Sequence, residues 1–133
     1  MYSDLLLDHF QHPRNVGELP APAFTVEAGN PACGDILRLS VRFEDGRAED
    51  ARYKVKGCTA SIAAGSALTE WILGKSADQL AAFDTSFVEQ ALGGFEAESK
   101  HAAVLCADAL KLLLKRSAQG IEDGSRPGIK SAP

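Results

Sequence analysis

Cysteine is scarce in this chain. Three thiols in 133 residues, an odd count, exclude the disulfide framework of a small secreted domain and point to free thiols in a reducing compartment, with the cytoplasm as default. Excess positive charge is missing too. The 14 Lys and Arg stand against 18 Asp and Glu, a net charge of −4, so no long-range field draws nucleic acid or an anionic membrane. No apolar run approaches the ~18 residues of a membrane span, and Met1-Tyr2-Ser3-Asp4 carries no basic segment of a secretory leader. Internal repeats are lacking. Histidine is limited to three, which weakens a nucleophilic use of any thiol. That chemistry needs a base oriented by a third group, and nothing near Cys33 or Cys58 in sequence supplies the pair.

What is present is an ordinary globular composition, 45% apolar and 24% charged, on a chain long enough for one buried core. Ser3 suits the N-cap of a helix running to about Gln11, with Leu5, Leu6 and His9 at helical spacing and Pro13 ending it. His9 and His12 near that end fit the helix dipole or capping better than ligation. Residues 24–28 alternate as a short strand. Leu37, Leu39, Val41 and Phe43 then alternate with Arg38, Ser40 and Arg42, Asp45-Gly46 signals a hairpin, and Ala51, Tyr53 and Val55 alternate on the return. The basic row Arg38, Arg42, Arg52, Lys54 and Lys56 is either the solvated face of this sheet or a surface steering an acidic partner.

Period two gives way to period 3.6 at Cys58. Residues 59–73 form an Ala-rich helix with Ala60, Ala64, Ala67, Leu68 and Trp71 inward. Ser76 caps the first of one or two short helices before Gly93-Gly94. The last helix covers roughly residues 99–116, with Ala102, Cys106, Ala109 and Leu113 on its buried side and Asp108, Lys111 and Lys115 opposite. Residues 117–133 are rich in Gly, Ser, Pro and charge, a flexible tail. The expected fold is α+β: a domain of residues 1–116 with a three-stranded antiparallel sheet, helices packed on one face, an N-terminal helix and a long C-terminal helix.

The chemistry gathers in Gly29-Asn30-Pro31-Ala32-Cys33-Gly34-Asp35 and Gly57-Cys58. A thiol and a carboxylate two positions apart lie on backbone that Gly, Asn and Pro keep in turns. Soft sulfur beside hard oxygen is metal-ligand chemistry. Cys58 opens a helix, where dipole and free N–H groups favour a thiolate. The bland alternative for either cysteine is a small buried hydrophobe, which a polar Gly/Asn/Pro loop fits poorly. His101, early in the last helix, is a cap, a surface group or a ligand.

These stretches, together with Asp8-His9-Phe10, Pro13-Arg14-Asn15-Val16-Gly17 and Lys56-Gly57-Cys58, resemble the NifU/IscU-type iron–sulfur cluster assembly scaffolds over about residues 2–116. The resemblance implies a binding and transfer protein rather than an enzyme. It would assemble a transient [2Fe–2S] cluster from iron and the sulfur of a cysteine desulfurase, then hand it to acceptor proteins; Zn2+ is a further occupant of the same pocket. By resemblance the ligands are Cys33, Asp35, Cys58 and His101. The family's third cysteine falls at Ala102, where this chain has no thiol, and Cys106 lies one helical turn on, about 6 Å along the axis. Cys106 either replaces the lost metal ligand or is a core thiol. The Leu-Pro-Pro-Val-Lys stretch that an Hsp70-type chaperone reads in relatives has no counterpart in Phe95-Glu96-Ala97-Glu98-Ser99-Lys100, so that recognition is not expected. Two other readings stay open: a zinc-binding sulfur acceptor that activates a desulfurase, and a relative that has lost the chemistry and only binds the desulfurase.

Overall fold

The structure, a computed structural model, describes residues 3–30, 34–91, 93 and 97–119. Helix α1 (Asp4–Gln11) leads into an antiparallel sheet of β1 (Phe24–Asn30), β2 (Asp35–Glu44) and β3 (Arg47–Lys56), followed by α2 (Thr59–Ile72), α3 (Ala77–Ala81), α4 (Thr85–Ala91) and α5 (Ala97–Gln119). The strands lie in the order β1-β2-β3. Among the described residues this is the α+β arrangement expected. Ser3 caps α1, its hydroxyl accepting from the Leu6 N–H at 3.1 Å, and Asp45 and Gly46 turn the β2–β3 hairpin with φ of 55° and 78°, as a tight hairpin requires.

The period-two pattern puts Val26, Ala28, Leu37, Leu39, Val41, Ala51 and Tyr53 into the core. On the other face Arg38 pairs with Glu18 and Glu27, Arg42 with Glu44 and Glu49, and Arg52 with Asp50. The arginines of the basic row are thus neutralised within the chain, which favours the solvated-face reading over a steering surface. Thr25 and Ser40, opposed in register, share a buried hydrogen bond of 3.0 Å on that face.

Helix α2 is the central pin. The expected inward stripe is too narrow: Ala60, Ser61, Ala63, Ala64, Gly65, Ser66, Ala67, Leu68, Thr69 and Ile72 are all buried, while Trp71 is only half-buried and packs on Phe83 and Phe87 at its rim. Small side chains let neighbours approach from several sides. At Gly65 a Cβ would fall 2.3 Å from the Tyr53 ring, and the Tyr53 hydroxyl donates to the Ile62 carbonyl at 2.8 Å. On α5 the residues Ala102, Cys106, Ala109 and Leu113 are buried as the helical wheel implies. This helix runs three residues past the expected boundary, through Ser117, Ala118 and Gln119, all of which tolerate helix. The rest of the expected tail, from Gly120 on, lies outside the described residues.

The N-terminal signature is a clasp. Arg14 donates from its N–H to Ser66 Oγ (2.9 Å) and from its guanidinium to His9 Nδ1 (3.0 Å) and Asp8 Oδ2 (2.7 Å). Ser66 Oγ also lies 2.8 Å from His9 Nδ1. The Asn15 side chain donates to Thr69 Oγ1, the Asn15 backbone carbonyl accepts from the Tyr53 N–H, and the Gly17 N–H donates to the Tyr53 backbone carbonyl. Val16 thereby makes a short parallel bridge along the outer edge of β3, whose first residues are covered by residues 74–76. Because arginine can only donate, His9 Nδ1 is an acceptor and the ring is neutral. Burial first, then the neighbouring Arg14 charge, hold its pKa below the ordinary value of 6.5.

That depression fixes a sign. The unfolded chain takes up the His9 proton near pH 6.5 while the folded chain resists it, so stability from this site is complete above 6.5 and drains away as pH falls below it. Asparagine presents an acceptor oxygen near the Nδ1 position and does not titrate. Urea midpoints measured from pH 7.5 to 5 should decline for the wild type and decline less steeply for His9→Asn.

Candidate metal-ligand site

The β2–β3 register pairs Ile36 with Lys56, which sets Asp35, at the start of β2, beside Gly57, just past the end of β3. The missing side chain at residue 57 makes room: a Cβ there would fall 2.4 Å from the Asp35 carboxyl carbon. The carboxylate, only 5% exposed, consequently lies across the N-terminus of α2. Its Oδ2 accepts from the Cys58 N–H at 3.4 Å and from the Cys58 thiol at 3.2 Å, and the Ser61 hydroxyl donates to the same oxygen. Cys58 is the N-cap residue but makes no side-chain capping bond of its own. Asp35 supplies that anion from the neighbouring strand, where unpaired helix N–H groups and the dipole favour it.

A soft sulfur and a hard oxygen are therefore in contact, half-buried and buried respectively. Glycine is also demanded at residue 34, where φ is +75°, at the close of the loop from β1 into β2. Cys33 lies in that loop, outside the described residues. His101 is exposed on the second turn of α5. Among the described residues no third His, Cys, Asp or Glu closes a metal cage around Asp35 and Cys58. Ala102 and Cys106 both face the core at 1% exposure. Burial pushes the Cys106 thiol up to about 12, and together with that thiol it raises the nearby Tyr53 hydroxyl to about 12 as well, so Cys106 is a neutral thiol in apolar packing. The stretch at residues 95–100 falls largely outside the described residues, with only the α5 backbone from Ala97 in view.

Ser61 is the residue that sequence reasoning missed. It is 2% exposed and stands three positions after the N-cap, where a helix often exchanges capping bonds with the N-cap residue. Here the acceptor comes from another strand. The Cys58-x-x-Ser61 spacing is the signal that was available.

Residues 1–119 match the family described as NifU-like N terminal domain. The chain is 40% identical over 111 residues to an iron-sulfur cluster assembly scaffold protein, IscU 1, of Archaeoglobus fulgidus, a match covering 84% of this chain and 72% of that one. It is 38% identical over 114 residues to the scaffold protein IscU of Escherichia coli K12, covering 83% and 88%. The crystal structure of a putative scaffold protein for the SUF system from Fervidobacterium islandicum superposes with a TM-score of 0.67 at 20% identity, covering 85% of this chain and 96% of that one; at that identity it speaks for the fold.

The fit at residue 57 is open to test. Gly57→Ala should push the carboxylate off the start of α2 and lose its capping bonds, lowering the free energy of unfolding by about 1–2 kcal/mol, the usual worth of a helix cap. Urea titration followed by circular dichroism would measure the change, and an unchanged midpoint would contradict the packing described.

Proposed function

Because this chain belongs to the NifU-like N-terminal domain family, we propose that it is a scaffold: it assembles a transient [2Fe–2S] cluster from iron and sulfur and passes it on. One observation carries the reading. The Cys58 thiol and the Asp35 carboxylate meet at 3.2 Å at the mouth of α2, where Gly57 leaves the room a Cβ would take. The donor set we assign is Cys33, Asp35, Cys58 and His101, with Cys106 outside it. Cys33 is joined to Asp35 through a single glycine, and two residues of chain span at most about 7 Å. We leave out Cys106 because it is buried at 1% exposure within the apolar core cluster.

In this scheme the thiolates grip iron strongly and the carboxylate weakly. A mixed set of this kind suits cargo that must leave, where an electron carrier would hold its cluster by four strong ligands. Sulfur would arrive from a cysteine desulfurase and the cluster would depart to acceptor proteins. The role we assign is binding and transfer rather than catalysis, and an odd, low cysteine count suits a reducing cytoplasm. No described helix is long and apolar enough to cross a membrane.

The same donors suit tetrahedral zinc, and Ala102 leaves the site a thiol short. A zinc-bound sulfur acceptor that stimulates a desulfurase is the second reading. Anaerobic incubation with ferrous iron, cysteine, a cysteine desulfurase and a thiol reductant, which brings the persulfide sulfur to sulfide, separates the two. The scaffold should turn coloured, with sulfide-to-iron charge-transfer absorption that Cys58→Ala abolishes and Cys106→Ala preserves. A colourless protein holding stoichiometric zinc and accelerating the desulfurase would establish the alternative. Desulfurase binding that survives Cys33→Ala/Cys58→Ala, with no metal in the wild type, would mark a relative without the chemistry.

A further inference from the structure

We propose that the outer edge of β1 and the flank of α5 form a docking groove for a short extended segment of a partner protein, one that presents an apolar side chain and, two positions along, an acidic one. In the order β1-β2-β3 the far side of β1 has no neighbouring strand among the described residues, and such an edge accepts an added strand. Arg116 of α5 donates to the Thr25 carbonyl at 2.8 Å, so this carbonyl turns outward. By the alternation of a strand, Glu27 and Gly29 turn their N–H and C=O groups the same way, and both residues are exposed. A groove of about 380 Å³ lies there, between Glu27, Ala28 and Gly29 on one side and Asp108, Lys111 and Leu112 on the other.

The walls select the occupant. Helix α5 packs on β1, so two copies of this chain meeting edge to edge would drive α5 into its own mate, whereas a lone strand fits. Arg116 holds the Thr25 carbonyl, which confines pairing to Glu27 and Gly29 and the segment to about five residues. Alternate side chains of an added strand, about 7 Å apart, face α5. One meets Leu112, which is 42% exposed. The next meets Lys111, which is exposed and, like Asp108, has no ion pair among the described residues. The Arg116–Thr25 bond sets the direction of the wall: Lys111 and the exposed Lys115 stand toward Thr25, and Asp108 stands a turn farther off, toward Gly29. An acid is therefore welcome at the lysine end and repelled at the other. Glu27 does not compete for Lys111, because its carboxylate pairs with Arg38 at 3.6 Å. Beyond Gly29 the chain runs into the loop that carries Cys33, so a segment seated here belongs to a protein that works at the donor site. The partner's role, though not the groove, rests on the scaffold reading.

Two blocked peptides are the probes, acetyl-Thr-Val-Thr-Glu-Thr-amide and the same sequence with Lys in place of Glu, titrated at millimolar concentration into isotope-labelled full-length apoprotein and followed by NMR. Amide resonances should move at residues 27–29 and 108–112, the walls of the groove. The acidic peptide should bind about two- to fivefold more tightly than the basic one, the range of an exposed ion pair, and Lys111→Glu should reverse that preference. Glu27→Pro should keep the fold, because proline is tolerated on an edge whose N–H faces outward and Arg38 retains Glu18. It should weaken both peptides alike, by about three- to tenfold for one lost hydrogen bond. Resonances at 27–29 that do not move, equal binding of the two peptides by wild type, or a Glu27→Pro chain that unfolds would each overturn the groove. No metal enters these arms, so such a failure leaves the scaffold reading standing. A chain that docks the acidic peptide as described yet takes up neither zinc nor cluster keeps the groove and overturns the scaffold.

Discussion

The structure depends on the seat of a single carboxylate. Asp35 lies buried against the first turn of α2, a position available only because the β2–β3 register brings it beside Gly57. A buried carboxylate left without donors would cost several kcal/mol. Here the helix start and Ser61 satisfy it, and it in turn caps a helix whose N-cap side chain does not. One contact therefore does two jobs: it ties the sheet to its central helix and sets oxygen beside sulfur.

The remainder of the fold keeps that contact in place. Helix α2 is buried almost all round, so it has little freedom to slide, and the close approach of Gly65 to Tyr53 locks its depth against β3. From the other side the clasp of Asp8, His9, Arg14 and Asn15 grips Ser66 and Thr69 on α2 and the backbone of Tyr53 on β3. The segment that resembles the family's N-terminal signature works at a distance from the thiols, as a strap rather than a ligand.

What the sequence disclosed follows from how far each signal reaches. The strands and their hairpin are local, written in period two and in Asp45-Gly46 with its two positive φ angles, and they were legible. The buried side of α5 was legible for the same reason. The burial of α2 was not, because a helix of Ala, Ser and Gly has little contrast between faces. The work of His9 was not legible either, since its partner Ser66 is 57 residues away. At the site, Asp35 and Cys58 stood out from their context, and the structure brings them into contact. Ser61 was marked only by its spacing three residues after the N-cap, and its acceptor belongs to another strand, which that local signal does not reach.

The central claim is that a loose cage of two sulfurs with harder donors forms at the start of α2 and leaves Cys106 out. X-ray absorption at the zinc edge of the metal-loaded protein reads that donor set directly. The account predicts two sulfurs near 2.3 Å with oxygen and nitrogen completing the shell, in wild type and in Cys106→Ala alike. Three sulfurs in the wild type falling to two in Cys106→Ala, or a shell without sulfur, would contradict it.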